Sequence, residues 1–351
     1  PQPFSKDDMA RYDLARGCMF RIAGEDEAPV FVAQRERGYL KIDGDLEPLA
    51  AKGGSAELPG GARSIYVGLD HWIELVAQGK YGPTDAQRAE IWVPEGAAPA
   101  GGFPLAVFVH GGGWHSGAPE DYRFVARSLG EQGIATALVG YRLVPDGRYP
   151  VMLEDSAAGL AWVRDKAATA NLRADLAILI GHSAGAYNVL MLGLDPQFLR
   201  SAGVPRESLA GVVSMAGPAD FYPFDTDSSR NAFGHVADGR ATQPVTQATR
   251  ENLAGAPPFL LMHGTADETV RPYNSRNLAV AIEEGGGMVD LVEYDGMSHA
   301  GIVMGLSKPF AQNGKVLDPI LAFIADHADA RKQGKTYGAP QASVPVQGET
   351  R

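Results

Sequence analysis

Short, almost continuous apolar runs alternate with helical patterns from about residue 80 onward, and this alternation limits the fold more than any other feature of the chain. The runs are Leu105–Val109, Ala135–Val139, Leu176–Ile180, Gly211–Met215, Phe259–Met262 and Val289–Tyr294. Strands covered on both faces need apolar side chains at successive positions, whereas a half-exposed strand alternates. Stretches near residues 119–132, 151–168, 184–193 and 273–285 carry helical spacing between them. Runs and helices in this order predict an α/β domain with a mostly parallel central sheet and helices on both faces. Residues 79–332 are assigned to it.

The flanks read differently. Residues 1–78 hold strand-like runs at Val30–Ala33, Tyr39–Ile42 and Arg63–Val67 beside Gly and Asp-Gly turn signals, and are expected to form a small, mostly β appendage. Its purpose is left open between packing or oligomerisation and a binding module. Residues 333–351, rich in Gly, Pro, Gln, Ser and Thr, are expected to be a flexible tail. A length of 351 residues suits one large domain plus something smaller.

Charge and cysteine content narrow the function. The net charge of −11 would repel phosphate backbones and anionic surfaces, so no nucleic-acid partner is expected, and a neutral or cationic small molecule fits better. No run of about 18 apolar residues occurs, so no membrane span is expected. Cys18, alone in the chain, permits neither an intrachain disulfide nor a thiolate metal site. The Leu14–Cys18 segment superficially resembles a lipoprotein cleavage site, but Arg16 and the missing apolar run speak against it. The start at Pro1 leaves cytoplasmic and periplasmic or secreted locations equally open, and the oligomeric state, including a homo-oligomer, is not fixed.

Gly181-His182-Ser183-Ala184-Gly185 follows the run ending at Ile180 and precedes a helical pattern. A serine in so tight a turn is forced into a strained backbone that lifts its hydroxyl above the sheet edge. Such a hydroxyl is a poor nucleophile at neutral pH and needs a base, itself oriented by a buried acid. Asp267, just past the run ending at Met262, is the candidate acid, and His299, just past the run ending at Tyr294, the candidate base. Glu268 and Asp155 are weaker rivals for the acid. His182 is expected to point away as a packing residue, and His263 to support the acid loop.

His110-Gly111-Gly112-Gly113-Trp114 follows the run ending at Val109. Acyl transfer places negative charge on the carbonyl oxygen, which backbone N–H groups held in advance can stabilise. Gly112, Gly113 and Ala184 are the expected oxyanion donors. Phosphate-loop spacings are absent.

Together, His110–Trp114, Tyr141-Arg142-Leu143-Val144-Pro145, Gly181–Gly185, His263–Asp267 and Ser298-His299 resemble the hormone-sensitive-lipase-like and feruloyl-esterase-like (BD-FAE-type) branch of the α/β-hydrolases, over roughly residues 80–328. The resemblance implies a carboxylesterase that cleaves short-chain or aryl esters through Ser183, Asp267 and His299 in that family's order, with no cofactor and no metal. An arylformamidase or other amide-cleaving relative is the alternative, since it too shares the His-Gly-Gly-x-Trp element. A peptidase of the prolyl-oligopeptidase type would need a large propeller, and a non-catalytic receptor would have lost a triad member. The helical cap of many lipase-like relatives is not visible. Its place as pocket cover is expected to fall to the stretch between Met215 and Pro257, with Trp114, Phe221, Tyr222 and Phe224 as substrate-binding candidates and Phe233 beside them. These aromatics could equally fill a long loop.

Overall fold

The computed structural model describes residues 73–307, 310–311 and 314–330, together with the backbone of six short strands between residues 17 and 65. Those six are β1 (Gly17–Arg21), β2 (Val30–Glu36), β3 (Tyr39–Ile42), β4 (Asp45–Pro48), β5 (Ser55–Glu57) and β6 (Arg63–Ile65). The first four pair antiparallel in sequence order, and β5 and β6 pair with each other. The tail from residue 333 lies outside the described residues.

The main sheet has eight strands: β7 (Ile73–Lys80), β8 (Arg88–Pro94), β9 (Leu105–Val109), β10 (Ala135–Val139), β11 (Ala177–His182), β12 (Leu209–Met215), β13 (Phe259–Gly264) and β14 (Val289–Tyr294). Their order is β14-β13-β12-β11-β9-β10-β8-β7, parallel from β14 to β10 and antiparallel at β8 and β7. All six runs fall on strands; the five from β9 to β13 are buried along their whole length, while β14, at the other edge, is largely exposed.

The strand β7 runs unbroken from Ile73 to Lys80, across the expected boundary between residues 78 and 79. One face of β7 meets water, so half-buried and exposed residues alternate after buried Ile73 and no continuous apolar run marks it.

The principal helices are α1 (Arg123–Gly130), α2 (Val151–Lys166), α3 (Ala184–Leu194), α4 (Tyr273–Glu284) and α5 (Leu317–Ala330). Strand alternation divides the core into two layers. Leu105, Val107 and Val109 join Leu153 and Leu160 of α2, Val189 and Leu190 of α3, and Leu278 and Ile282 of α4. Ala106 and Phe108 face the other way, with Val125 and Leu129 of α1 and Ile320, Phe323 and Ile324 of α5.

Strand order decides where chemistry can sit. The chain steps outward from β9 to β10, then returns past β9 to β11. With right-handed crossovers, that reversal sends the connections to opposite faces and opens a crevice at the carboxyl ends of β9 and β11. Residues 110–114 and Ser183 leave the sheet there. The long connection from β12 to β13 carries only short helices, at Asp227–Phe233, Pro244–Gln247 and Arg250–Leu253. It is tied down by Asn274, whose Oδ1 accepts from the N–H groups of Ala219 (2.9 Å) and Asp220 (2.8 Å), and by the Tyr187 hydroxyl, which donates to the Thr242 carbonyl at 2.8 Å.

Phe108 is 1% exposed and sits against Tyr122 with ring centroids 5.0 Å apart. Phe108→Ala is expected to lower the unfolding free energy by about 3–5 kcal/mol, read from urea denaturation. A loss under about 1 kcal/mol would contradict this packing.

Candidate active site

The turn from β11 into α3 is shaped by glycine. A Cβ at Gly181 would stand 2.3 Å from the Gly185 carbonyl oxygen, and one at Gly185 would stand 2.1 Å from that of Val109. Only bare backbone allows the helix to start this close to β9. Ser183 takes φ 54° and ψ −120°, which a side-chain-bearing residue seldom adopts, and its N–H donates to the Met215 carbonyl at 2.9 Å.

Three side chains predicted from sequence meet above this turn. The Ser183 hydroxyl lies 2.8 Å from His299 Nε2, and His299 Nδ1 lies 2.7 Å from Asp267 Oδ2. Because a carboxylate can only accept, Nδ1 carries the proton and Nε2 is left to accept from the serine. His299 opens a short helix, His299–Met304, capped by the Ser298 hydroxyl. Asp267 is buried, and its Oδ1 accepts from the N–H groups of Thr269 and Val270, each at 2.9 Å. Burial alone would raise its pKa. Hydrogen bonds from His263, His299 and Val270 outweigh that and hold it well below the usual carboxylate range.

The rivals stand elsewhere. Glu268 is exposed. Asp155, buried in α2, accepts from Arg142 Nε (2.8 Å) and Gln87 Nε2 (2.9 Å) in a structural network. His263 supports the acid, with Nε2 2.8 Å from the Val270 carbonyl and 3.3 Å from Asp267 Oδ2, and Nδ1 2.7 Å from the Ser275 hydroxyl.

His182 does not point away from the site. Its Nε2 donates to the backbone carbonyl of His299 at 3.1 Å, and the two imidazole centroids are 5.0 Å apart. It is a strut under the candidate base. A packing role for His182 is read from the sequence, but the segment it packs against is not.

The glycine loop after β9 is held from behind. His110 Nδ1 donates to the Gly111 carbonyl at 2.8 Å, while the Gly112 carbonyl accepts from the N–H groups of His115 and Ser116, both at 3.1 Å. In a trans peptide C=O and N–H point in opposite directions, so anchoring these two carbonyls aims the N–H groups of Gly112 and Gly113 away from the anchors. Gly112 (φ 114°) and Gly113 (φ 60°) occupy backbone that favours glycine, and Trp114 follows at φ 65°. Ala184 heads α3, where its N–H has no intrahelical acceptor. Among the described residues, no group of three or more His, Cys, Asp or Glu side chains is placed to hold a metal ion, and no helix is long and apolar enough to cross a membrane.

The candidate substrate-binding aromatics divide. Trp114 is buried, with its ring edge-on to Phe233 (4.8 Å between centroids) and Tyr187 (5.5 Å), stacked with Phe221 (6.1 Å), and its Nε1 donating to Asn188 at 3.3 Å. Phe221 and Phe224 are half-buried beside that cluster. Tyr222 is 42% exposed and lies under the Arg240 guanidinium.

An eight-stranded, largely parallel sheet with a serine at the central strand-to-helix turn defines an α/β-hydrolase. Esterase B from Lactobacillus rhamnosis has the same fold, with a TM-score of 0.64 over 75% of this chain and 88% of that one at 18% identity. The chain belongs to the BD-FAE family, whose model matches residues 90–282. That span holds the glycine loop, Ser183 and Asp267, and His299 lies beyond it. The chain is 25% identical over 270 residues to a protein of Oryza sativa subsp. japonica named "Probable isoprenylcysteine alpha-carbonyl methylesterase ICME", covering 72% of this chain and 64% of that one. It is 27% identical over 245 residues to esterase LipC of Mycobacterium tuberculosis, covering 62% and 58%. The chain thus spans less than two thirds of the length of either relative.

Burial lowers the pKa of His110 from 6.5 to about 4, and burial helped by the neighbouring His299 lowers that of His182 to about 3. An unfolded chain takes up these protons below about pH 6.5 while the folded one refuses them, so stability present above that pH drains away as the pH falls toward 4 and 3. Urea midpoints measured from pH 7.5 down to 4.5 are expected to fall for the parent protein and to fall less steeply for His182→Gln. Identical slopes would contradict a buried neutral His182.

Proposed function

We propose that this protein is a serine carboxylesterase acting on short-chain or aryl carboxylic esters through an acyl-enzyme. The observation carrying this reading is the unbroken line from Ser183 to His299 to Asp267, at 2.8 and 2.7 Å, beside a loop of prearranged N–H groups. The esterase names of its relatives favour an ester over other acyl substrates.

In this reading His299 Nε2 takes the proton of the Ser183 hydroxyl as its oxygen attacks the ester carbonyl. The carbonyl oxygen becomes negative and is received by the N–H groups of Gly112, Gly113 and Ala184. Asp267, kept ionised by His263 and its own loop, stabilises the imidazolium. His299 then protonates the departing alkoxide or phenoxide, and a water molecule, deprotonated by His299, releases the acid from Ser183.

Ser183→Ala is expected to remain folded and to lose both esterase activity and labelling by a fluorophosphonate; undiminished labelling would exclude Ser183 as nucleophile. Asp267→Asn is expected to keep the geometry but lower kcat by roughly 10³–10⁴-fold, as removal of an imidazole-orienting carboxylate does in serine hydrolases. A series of p-nitrophenyl acetate, p-nitrophenyl butyrate, methyl ferulate and N-formylkynurenine then separates substrate classes. Dominant cleavage of the formamide would replace the esterase reading with an arylformamidase one.

A further inference from the structure

The short helix Asp227–Phe233 belongs to the long connection from β12 to β13, far in sequence from the glycine loop, yet it grips that loop directly. The Ser228 hydroxyl donates to the Gly113 carbonyl at 2.5 Å. The His115 ring donates to the same oxygen from Nδ1 at 2.7 Å, and Asn231 Nδ2 donates to His115 Nε2 at 3.3 Å. A Cβ built on Gly113 would stand 2.8 Å from the Ser228 hydroxyl oxygen, so the helix rests on bare backbone.

This clasp sits where the loop is under most strain. Trp114 holds a positive φ of 65° without being glycine, a strained conformation that persists only where surroundings over-determine it. On one side the Trp114 ring is sunk among Tyr187, Phe221 and Phe233. On the other the Gly113–Trp114 peptide is pinned by Ser228 and His115. The helix itself is fixed at both ends: Thr226 and Ser229 exchange hydrogen bonds at its start (3.1 and 3.3 Å), and Phe233 is buried at its finish.

We infer that Ser228 and His115, steadied by Asn231, are positioning residues: they fix the Gly113–Trp114 peptide on one side of Gly113 while the anchored Gly112 carbonyl fixes the peptide on the other, and together these keep the Gly113 N–H aimed where it can receive the oxyanion. The inference rests on the proposed role of the loop and adds its external support: a helix from a distant connection completes the oxyanion site. A donor misaligned at the moment of reaction weakens the transition state without weakening substrate binding, so kcat falls while KM holds.

The test uses the rate of fluorophosphonate labelling at Ser183, because phosphonylation also places negative charge on an oxygen in the site and needs no knowledge of the natural substrate. Ser228→Ala and His115→Ala are each expected to slow labelling, and kcat for p-nitrophenyl acetate, by roughly 10- to 100-fold, a fraction of the loss from deleting a donor outright. KM should stay within about twofold and the thermal midpoint should show both variants folded. Because both act on one carbonyl, the double variant should lose less than the product of the single effects. Ser228→Thr, which keeps the hydroxyl, should recover part of the rate. Single variants that label within about twofold of the parent rate would overturn the clasp while leaving Ser183 as nucleophile. Failure of the parent protein to label at Ser183 would overturn the catalytic reading itself, and the clasp with it.

Discussion

The close approach of α3 to β9 is the constraint on which the rest of the site depends. Gly185 lies so near the Val109 carbonyl that no side chain fits, and Gly181 is equally tight against Gly185. That compression bends the chain at Ser183 into φ 54° and places its hydroxyl at the sheet's edge, beside the loop that leaves β9. The same approach brings the start of a helix, with its unpaired N–H groups and positive end, to the spot where negative charge would develop. The hydroxyl, the glycine loop and the Ala184 N–H are therefore consequences of one packing contact between helix and strand.

What sequence could reveal follows from this. Five of the six parallel strands were legible because burial on both faces writes a continuous apolar run, whereas β14, an edge strand with Asp290, Leu291 and Glu293 exposed, shows only a broken one; Asp267 and His299 were legible because each lies just past a strand. The antiparallel strands β7 and β8 were not. Along β7 every second residue meets solvent, and the polar opening of β8 at Arg88 and Glu90 serves ion pairs with Glu120 and Arg123. Neither strand writes a continuous apolar run: β7 alternates half-buried and exposed residues, and β8, though buried along its length, opens with charged side chains.

Side chains acting on backbone were harder still. His182, His110, His115 and Ser228 all work by holding a carbonyl, and a carbonyl leaves no trace in the residue name that carries it. Two of the four sit within motifs, but the motif explains only the neighbouring glycine or serine. Ser228 is hidden more completely, in a connection whose short helices show no sustained period. Its role depends on a contact with Gly113, 115 positions away in the chain.

The placement of His182 has a bearing on proton traffic. Two imidazoles stand 5.0 Å apart, and only His299 has a carboxylate to share its charge. If both were cationic, they would repel by roughly 3 kcal/mol at an effective dielectric constant of 20. By keeping His182 dry and uncharged, the fold reserves the local positive charge for the candidate base, so in the proposed mechanism each turnover would begin from the same electrostatic background.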